Sequence, residues 1–148
     1  MIICRSAAEL DKMRAAGRLV GEVLTAMKAM VAPGVTTGEL DALAQRLITD
    51  AGATPAFKGY HGYPATICAS VNEEVIHGIP SAQRVLREGD VISIDVGAAL
   101  DGYFGDSAIT LPVGQVSEDA ATLLRVTEES LYKAIETVKQ KYAQFFGT

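Results

Sequence analysis

An Asp-Gly pair set between two apolar runs is a strong short-range signal for a β-hairpin, and residues 91–111 carry one. Val91 to Ala99 and Tyr103 to Leu111 read as two strands joined by Asp101-Gly102 in a type I′ turn. A two-residue turn fixes the pairing. Leu100 faces Tyr103, Ala99 faces Phe104, Ala98 faces Gly105 and Gly97 faces Asp106. Asp95 lies two residues from Gly97 and so points to the same face of the sheet. It becomes the diagonal neighbour of Asp106, at about 7–8 Å between backbone positions. Gly97 contributes no side chain, which leaves a gap between the two carboxylates.

Aspartate is depleted in strands, so a carboxylate on each arm of one hairpin calls for a reason. Two ionised carboxylates at this spacing on a half-buried face repel each other. Either one keeps its proton or a cation sits between them. A divalent ion taking oxygens from both removes the conflict, and two ions about 3.5–4 Å apart suit hydrolysis. The bland alternative has both aspartates turned to water, and the spacing alone does not decide between the two.

The rest of the chain reads as helices around this hairpin. A short strand is expected at residues 2–4. Ser6-Ala7-Ala8-Glu9 and Thr36-Thr37-Gly38-Glu39 each have the form of a capping box. The first opens a helix with apolar residues at Leu10, Met13, Val20, Val23, Leu24 and Met27, stopped by Pro33-Gly34. The second opens a helix carrying Leu40, Leu43, Ala44, Leu47 and Ile48. Residues 53–64, rich in Gly, Pro and Tyr, read as a loop, and Thr66 to Val71 as a strand. Ser117 caps a third helix with Leu124, Leu131, Ile135, Val138, Tyr142 and Phe145 on one stripe, running almost to Gly147. The expected class is α+β: helices flanking a mainly antiparallel sheet in a single domain, 1–148.

Composition narrows the function classes. A net charge of −5 argues against nucleic acid, since phosphate contact wants a basic face. No apolar run approaches the roughly 18 residues of a membrane span. Two cysteines, Cys4 and Cys68, form no disulfide framework. Together with the lack of a basic-then-apolar leader, they suit a reducing cytosol. Cys68, on an apolar strand, reads as a small buried hydrophobe rather than a reactive thiol. His61 in GYHGYP and His77 in VIHGIP are the two histidines, flanked by Gly and Pro; each is either presented for function or simply a surface residue. The tyrosines of GYHGYP line an apolar pocket or pack their own loop. No HExxH, nucleophile elbow, Walker loop or GxGxxG is present.

The segments GYHGYPATICASVNEEVIHGIP and GDVISIDVGAALDGYFGD together closely resemble type I methionine aminopeptidase, from about residue 4 to about residue 138. The resemblance implies the pita-bread (creatinase/aminopeptidase) fold, two pseudo-symmetric α+β halves around a dinuclear metal site, of which this chain is similar to the N-terminal half. It implies removal of N-terminal methionine from nascent polypeptides, in the cytoplasm, with divalent Co, Mn, Fe or Zn. Carried over by position, Asp95 is a bidentate ligand of one metal and Asp106 bridges both. His77 contacts the scissile peptide and assists proton transfer. Phe57, Tyr60, Tyr63 and Cys68 line the methionine side-chain pocket, with His61 in a loop beside it, and Asn72 marks a monovalent-cation contact. The family's remaining ligands, a histidine and two glutamates, belong to the second half, which this chain lacks. Residues 139–148 match no motif of the family, which has a helix break after the position of Val138. An incomplete ligand set implies either self-association into a homodimer, or pairing with a partner half, that restores a site, or a non-catalytic binding module.

Overall fold

The computed structural model describes residues 4–146, with side chains through Tyr142. In chain order the elements are α1 (Ala7–Met30), α2 (Thr37–Asp50), β1 (Thr54–Pro55), β2 (Ile67–Val71), β3 (Val91–Leu100), β4 (Tyr103–Pro112) and α3 (Glu118–Phe146), with a 3-10 turn at Tyr60–Gly62. The strand expected at residues 2–4 falls mostly outside the described residues, and Cys4 belongs to no strand. The chain divides into two compact units, Met1–Gln115 and Val116–Thr148.

Both capping boxes form. The Ser6 hydroxyl accepts from the Glu9 N–H at 3.3 Å while the Glu9 carboxylate accepts from the Ser6 N–H at 2.8 Å. Thr36 and Glu39 repeat the exchange at 3.1 and 2.8 Å. Each box satisfies donors that a helix N-terminus otherwise leaves open.

The first unit is a four-stranded antiparallel sheet organised by β3. β4 runs along one side of β3 for ten residue pairs. β2 and the two-residue β1 share the other side, Ile67 opposite Val96 and Thr54 opposite Ala99. β1 corrects the expectation of a plain loop over 53–64. Pro55 hides a strand from propensity, yet the edge position tolerates its missing N–H, and the Ala56 N–H bonds to Gly97 O at 2.9 Å.

One sheet face is dry. Ile92, Ile94, Val96 and Ala98 of β3 are buried together with Val20, Val23 and Met27 of α1 and Leu40, Ala44 and Ile48 of α2. Burying each large aliphatic chain stabilises by about 1.5–3 kcal/mol. Alternation then sends Ser93, Asp95, Gly97 and Ala99 to the opposite face. One polar tie locks the layers together: Asp41 of α2 accepts from the N–H groups of Thr66 and Ile67 at 2.8 and 3.0 Å, where β2 begins.

The second unit is α3. The Ser117 hydroxyl accepts from the Ala120 N–H at 3.2 Å, as the sequence predicts, and Arg125 pairs with Glu129 one turn on at 3.0 Å. Leu124, Leu131, Ile135, Val138 and Tyr142 fall on one side by their spacing; the Phe145 side chain lies outside the described ones. Among the described residues no helix is long and apolar enough to cross a membrane.

Replacing Asp41 with Ala strands two part-buried N–H donors. Unfolding in urea should show a loss of about 1–3 kcal/mol, whereas Asp41→Asn, which keeps an acceptor oxygen, should recover most of it. No loss for Asp41→Ala would mean the tie contributes nothing.

Candidate functional site

The hairpin forms in the predicted register. Leu100 pairs with Tyr103, Ala99 with Phe104, Ala98 with Gly105 and Gly97 with Asp106. Asp101 and Gly102 have φ of 51° and 80°, the left-handed pair that a type I′ turn requires. Asp95 therefore stands opposite Ala108 on one side and Cys68 on the other, diagonal to Asp106 and on the same face.

The two acids are not equivalent. Asp106 is exposed and Asp95 is half-buried. Burial pushes the Asp95 carboxyl above the usual carboxylate range, and the charge of Asp106 adds to the rise; His77 and the Val96 N–H act against it. The repulsion inferred from spacing is thus present. The gap expected over Gly97 is not empty. A Cβ placed on Gly97 would lie 2.5 Å from Cε1 of Phe57, so the edge of that ring occupies the room the glycine leaves. Nothing in the sequence pattern ties Phe57 to Gly97, because the contact comes from folding the 53–64 segment back along β3.

Cys68 is 6% exposed. Burial raises its thiol, opposed by a hydrogen bond with Tyr63 and reinforced by Asp95 and Asp106, so it stays neutral. The Tyr63 hydroxyl donates, shared between Ile67 O at 2.9 Å and Gly78 O at 3.1 Å. Burial, then Cys68, holds its proton on well above the usual range. Tyr63 thereby ties the GYHGYP loop to β2 and to the turn after His77. That turn is also pinned by Ala69 N–H to Gly78 O at 2.9 Å and Gly78 N–H to the Ser70 hydroxyl at 3.0 Å.

Phe57, Tyr63 and Cys68 thus gather beside the aspartates, and His77, exposed, is near enough to Asp95 to lower its affinity for a proton. Tyr60 and His61 stand apart from them at an exposed loop tip, their rings edge to face at 4.4 Å. Asn72 lies four residues beyond Cys68. Its Nδ2 donates to Asp90 at 2.8 Å and its Oδ1 accepts from the Val91 N–H at 2.9 Å, so its side chain fastens the end of β2 to the start of β3. His61, Asn72 and His77 have φ of 47°, 56° and 58°, a left-handed backbone that non-glycine residues seldom adopt. Such outliers collect where the surroundings over-determine a conformation. Thr66, overlooked in the sequence, has a buried hydroxyl with no hydrogen-bond partner among the described residues.

Asp95 and Asp106 suit a divalent cation in charge and in hard oxygen chemistry. They do not suffice in number: among the described residues no three or more His, Cys, Asp or Glu side chains come together to hold a metal. A dinuclear centre does not fit this chain's residues alone.

Such a fold, with a carboxylate pair on the open face of its sheet, agrees with what comparison finds. Residues 11–144 match metallopeptidase family M24, and the chain belongs to that family. It is similar to methionine aminopeptidases. The chain is 54% identical over 136 residues to the methionine aminopeptidase of Clostridium acetobutylicum, covering 92% of this chain and 54% of that protein. With methionine aminopeptidase 1 of Bacillus subtilis the identity is 55% over 139 residues, 94% of this chain and 56% of that one. The crystal structure of the Thermotoga maritima methionine aminopeptidase superposes with a TM-score of 0.88 at 42% identity, over 91% of this chain and 54% of that chain. The chain spans about half the length of these relatives and carries half of their pita-bread fold. Membership of a metallopeptidase family implies use of a divalent metal.

The raised Asp95 carboxyl has a definite pH signature. Its folded-state pKa lies above its unfolded value, so its contribution to stability is full below the ordinary carboxylate pKa. That contribution is lost as pH climbs through the raised value. In metal-free buffer, the unfolding free energy of Asp95→Asn minus that of wild type should rise across this window and then level off. A difference that stays flat with pH would mean that Asp95 feels neither burial nor Asp106.

Proposed function

We propose that this chain forms the substrate wall and half of the metal-ligand set of a methionine aminopeptidase, which removes N-terminal methionine from nascent polypeptides. The observation that carries this reading is Asp95 and Asp106 on one open sheet face in a chain more than half identical to two such enzymes. Phe57, Tyr63 and Cys68 give an apolar wall suited to an unbranched thioether, and Tyr60 and His61, at the exposed loop tip, are the further substrate contacts of this reading. His77 is the group that contacts the scissile peptide and moves a proton. Asn72 marks a monovalent-cation contact. The divalent ion is Co, Mn, Fe or Zn. Cytoplasmic residence is supported by two free thiols, Cys4 and Cys68.

The missing donors set the condition for activity. Hydrolysis requires further donors from beyond the described residues to complete the ligand set. Without them the chain is a methionine-binding module, a reading that the absence of a third donor among the described residues favours for the chain alone.

Calorimetric titration with Mn²⁺ or Co²⁺ separates these possibilities from a purely structural role for the acids. Wild type should bind the ion weakly and Asp106→Ala at least about tenfold more weakly still, the effect of losing an interaction worth about 1.4 kcal/mol or more. Indistinguishable titrations would remove the aspartates from any metal site. In parallel, methionine release from a Met-Ala-Ser peptide should be confined to the completed assembly.

A further inference from the structure

His77 sits in the loop between Glu74 and Ser81, and few contacts hold that loop. Glu74 anchors one end, its carboxylate accepting from the Val71 N–H at 2.7 Å. Ser81 anchors the other, its N–H donating to the Thr37 hydroxyl at 2.9 Å. Between them the aliphatic side chains Val75, Ile76 and Ile79 are exposed, so their burial among the described residues does not fix the segment. From residue 75 to residue 80 every hydrogen bond among the described residues falls on Gly78.

Three groups hold Gly78. Its C=O accepts from the Ala69 N–H at 2.9 Å and from the Tyr63 hydroxyl at 3.1 Å. Its N–H donates to the Ser70 hydroxyl at 3.0 Å. The seat on β2 leaves no room for a side chain, since a Cβ on Gly78 would overlap Ala69 O and lie 2.9 Å from Ser70 Cα. Ser70 stands opposite Ser93 as Cys68 stands opposite Asp95. Alternation therefore puts the Ser70 hydroxyl on the carboxylate face of the sheet, where the residue is buried.

The Gly78 N–H belongs to the same peptide plane as the His77 carbonyl. Fixing the direction of that N–H fixes ψ of His77, whose φ is 58°. A left-handed histidine persists only where its surroundings over-determine it. Tyr63 and Ala69 hold the next plane along, through the Gly78 carbonyl. The two planes thus have separate restraints, and only the Ser70 hydroxyl acts on the one that His77 shares.

We propose that Ser70 is a positioning residue for His77: its hydroxyl fixes the His77–Gly78 peptide plane and so holds His77 in left-handed backbone near Asp95. The functional consequence rests on reading His77 as a substrate contact. Loss of the hydroxyl frees the first plane and keeps the second, so the loop stays attached to β2 while His77 is released.

Proton NMR of the chain tests this, because its two histidines are His61 and His77. His61, at an exposed loop tip away from the clamp, is the internal control. In Ser70→Ala the His77 imidazole signals should move, and the Gly78 amide should exchange about tenfold faster. The His61 signals and the protection of the Ala69 amide should stay as in wild type. Ser70→Thr, which keeps the hydroxyl, should restore the wild-type pattern. Titration with a Met-Ala-Ser peptide should shift the His77 signals, and Ser70→Ala should need about threefold more peptide for half the shift, the effect of losing preorganisation. His77 signals that coincide in wild type and Ser70→Ala overturn the proposal. So does a Gly78 amide that exchanges freely in wild type, a measurement that stands even if the variant does not fold. Movement of His61 and loss of Ala69 protection along with His77 would make Ser70 a general packing residue and also overturn it. If wild-type His77 ignores the peptide while Ser70→Ala still releases it, the positioning is upheld and the substrate role of His77 falls, so the two failures are distinguishable.

Discussion

Two consecutive residues in left-handed backbone, Asp101 and Gly102, set how β3 meets β4, and the carboxylate face inherits that setting. A strand has a side-chain period of two, so a slip of one residue would exchange its faces. Asp95 would then lie among Val20, Val23 and Met27, and Ile94 and Val96 would meet water. The apolar side of β3 forbids this, because Ile92, Ile94, Val96 and Ala98 are all fully buried. Turn chemistry and hydrophobic burial agree on one register. That agreement is what allows two like charges to be held at a diagonal spacing they would not choose.

The electrostatic conflict is local, and the framework around it is well tied. Asp95 is half-buried next to Asp106, which disfavours its charged form. Around it, Tyr63 bridges the loop to two carbonyls, Asp41 joins α2 to β2, and Asn72 fastens β2 to β3. These ties use polar groups far apart in sequence, up to 26 residues for Asp41 and Ile67. They hold the backbone through positions with unfavourable φ at His61, Asn72 and His77. A strained, charge-repelling surface on a well-tied base is the expected form of a site whose chemistry needs a further ligand to relax it.

What the sequence made legible was whatever depends on short spacing. Both capping boxes, the Ser117 cap, the hairpin turn and the register are decided within about four residues or by strict alternation, and each forms as expected. Local pattern could not show β1, since Pro55 disguises a strand that exists only through pairing with Ala98. Nor could it show Phe57 over Gly97: the glycine read as a hole, and the fold uses it as a seat for a ring 40 residues earlier in the chain. The ties of Asn72 to Asp90 and Val91 were equally invisible locally, since they join residues 18 and 19 apart. The unpartnered Thr66 hydroxyl had no signature at all, because burial without a partner is a property of the packed state.

Packing and metal binding place different demands on the described residues. The core of the first unit closes within residues that are all present: α1, α2 and the four strands bury one another's apolar faces, with Met27, Leu40, Ile48, Ile67 and Ile92 removed from water. The family's half-length therefore remains a sound hydrophobic unit. The open face is different. There the requirement is a count of donor atoms around a cation, and no quality of packing substitutes for a third and fourth ligand. Stability depends on area that neighbouring segments can bury locally, whereas holding a metal depends on a closed coordination set. The described residues meet the first requirement and, with two acids on the open face, not the second.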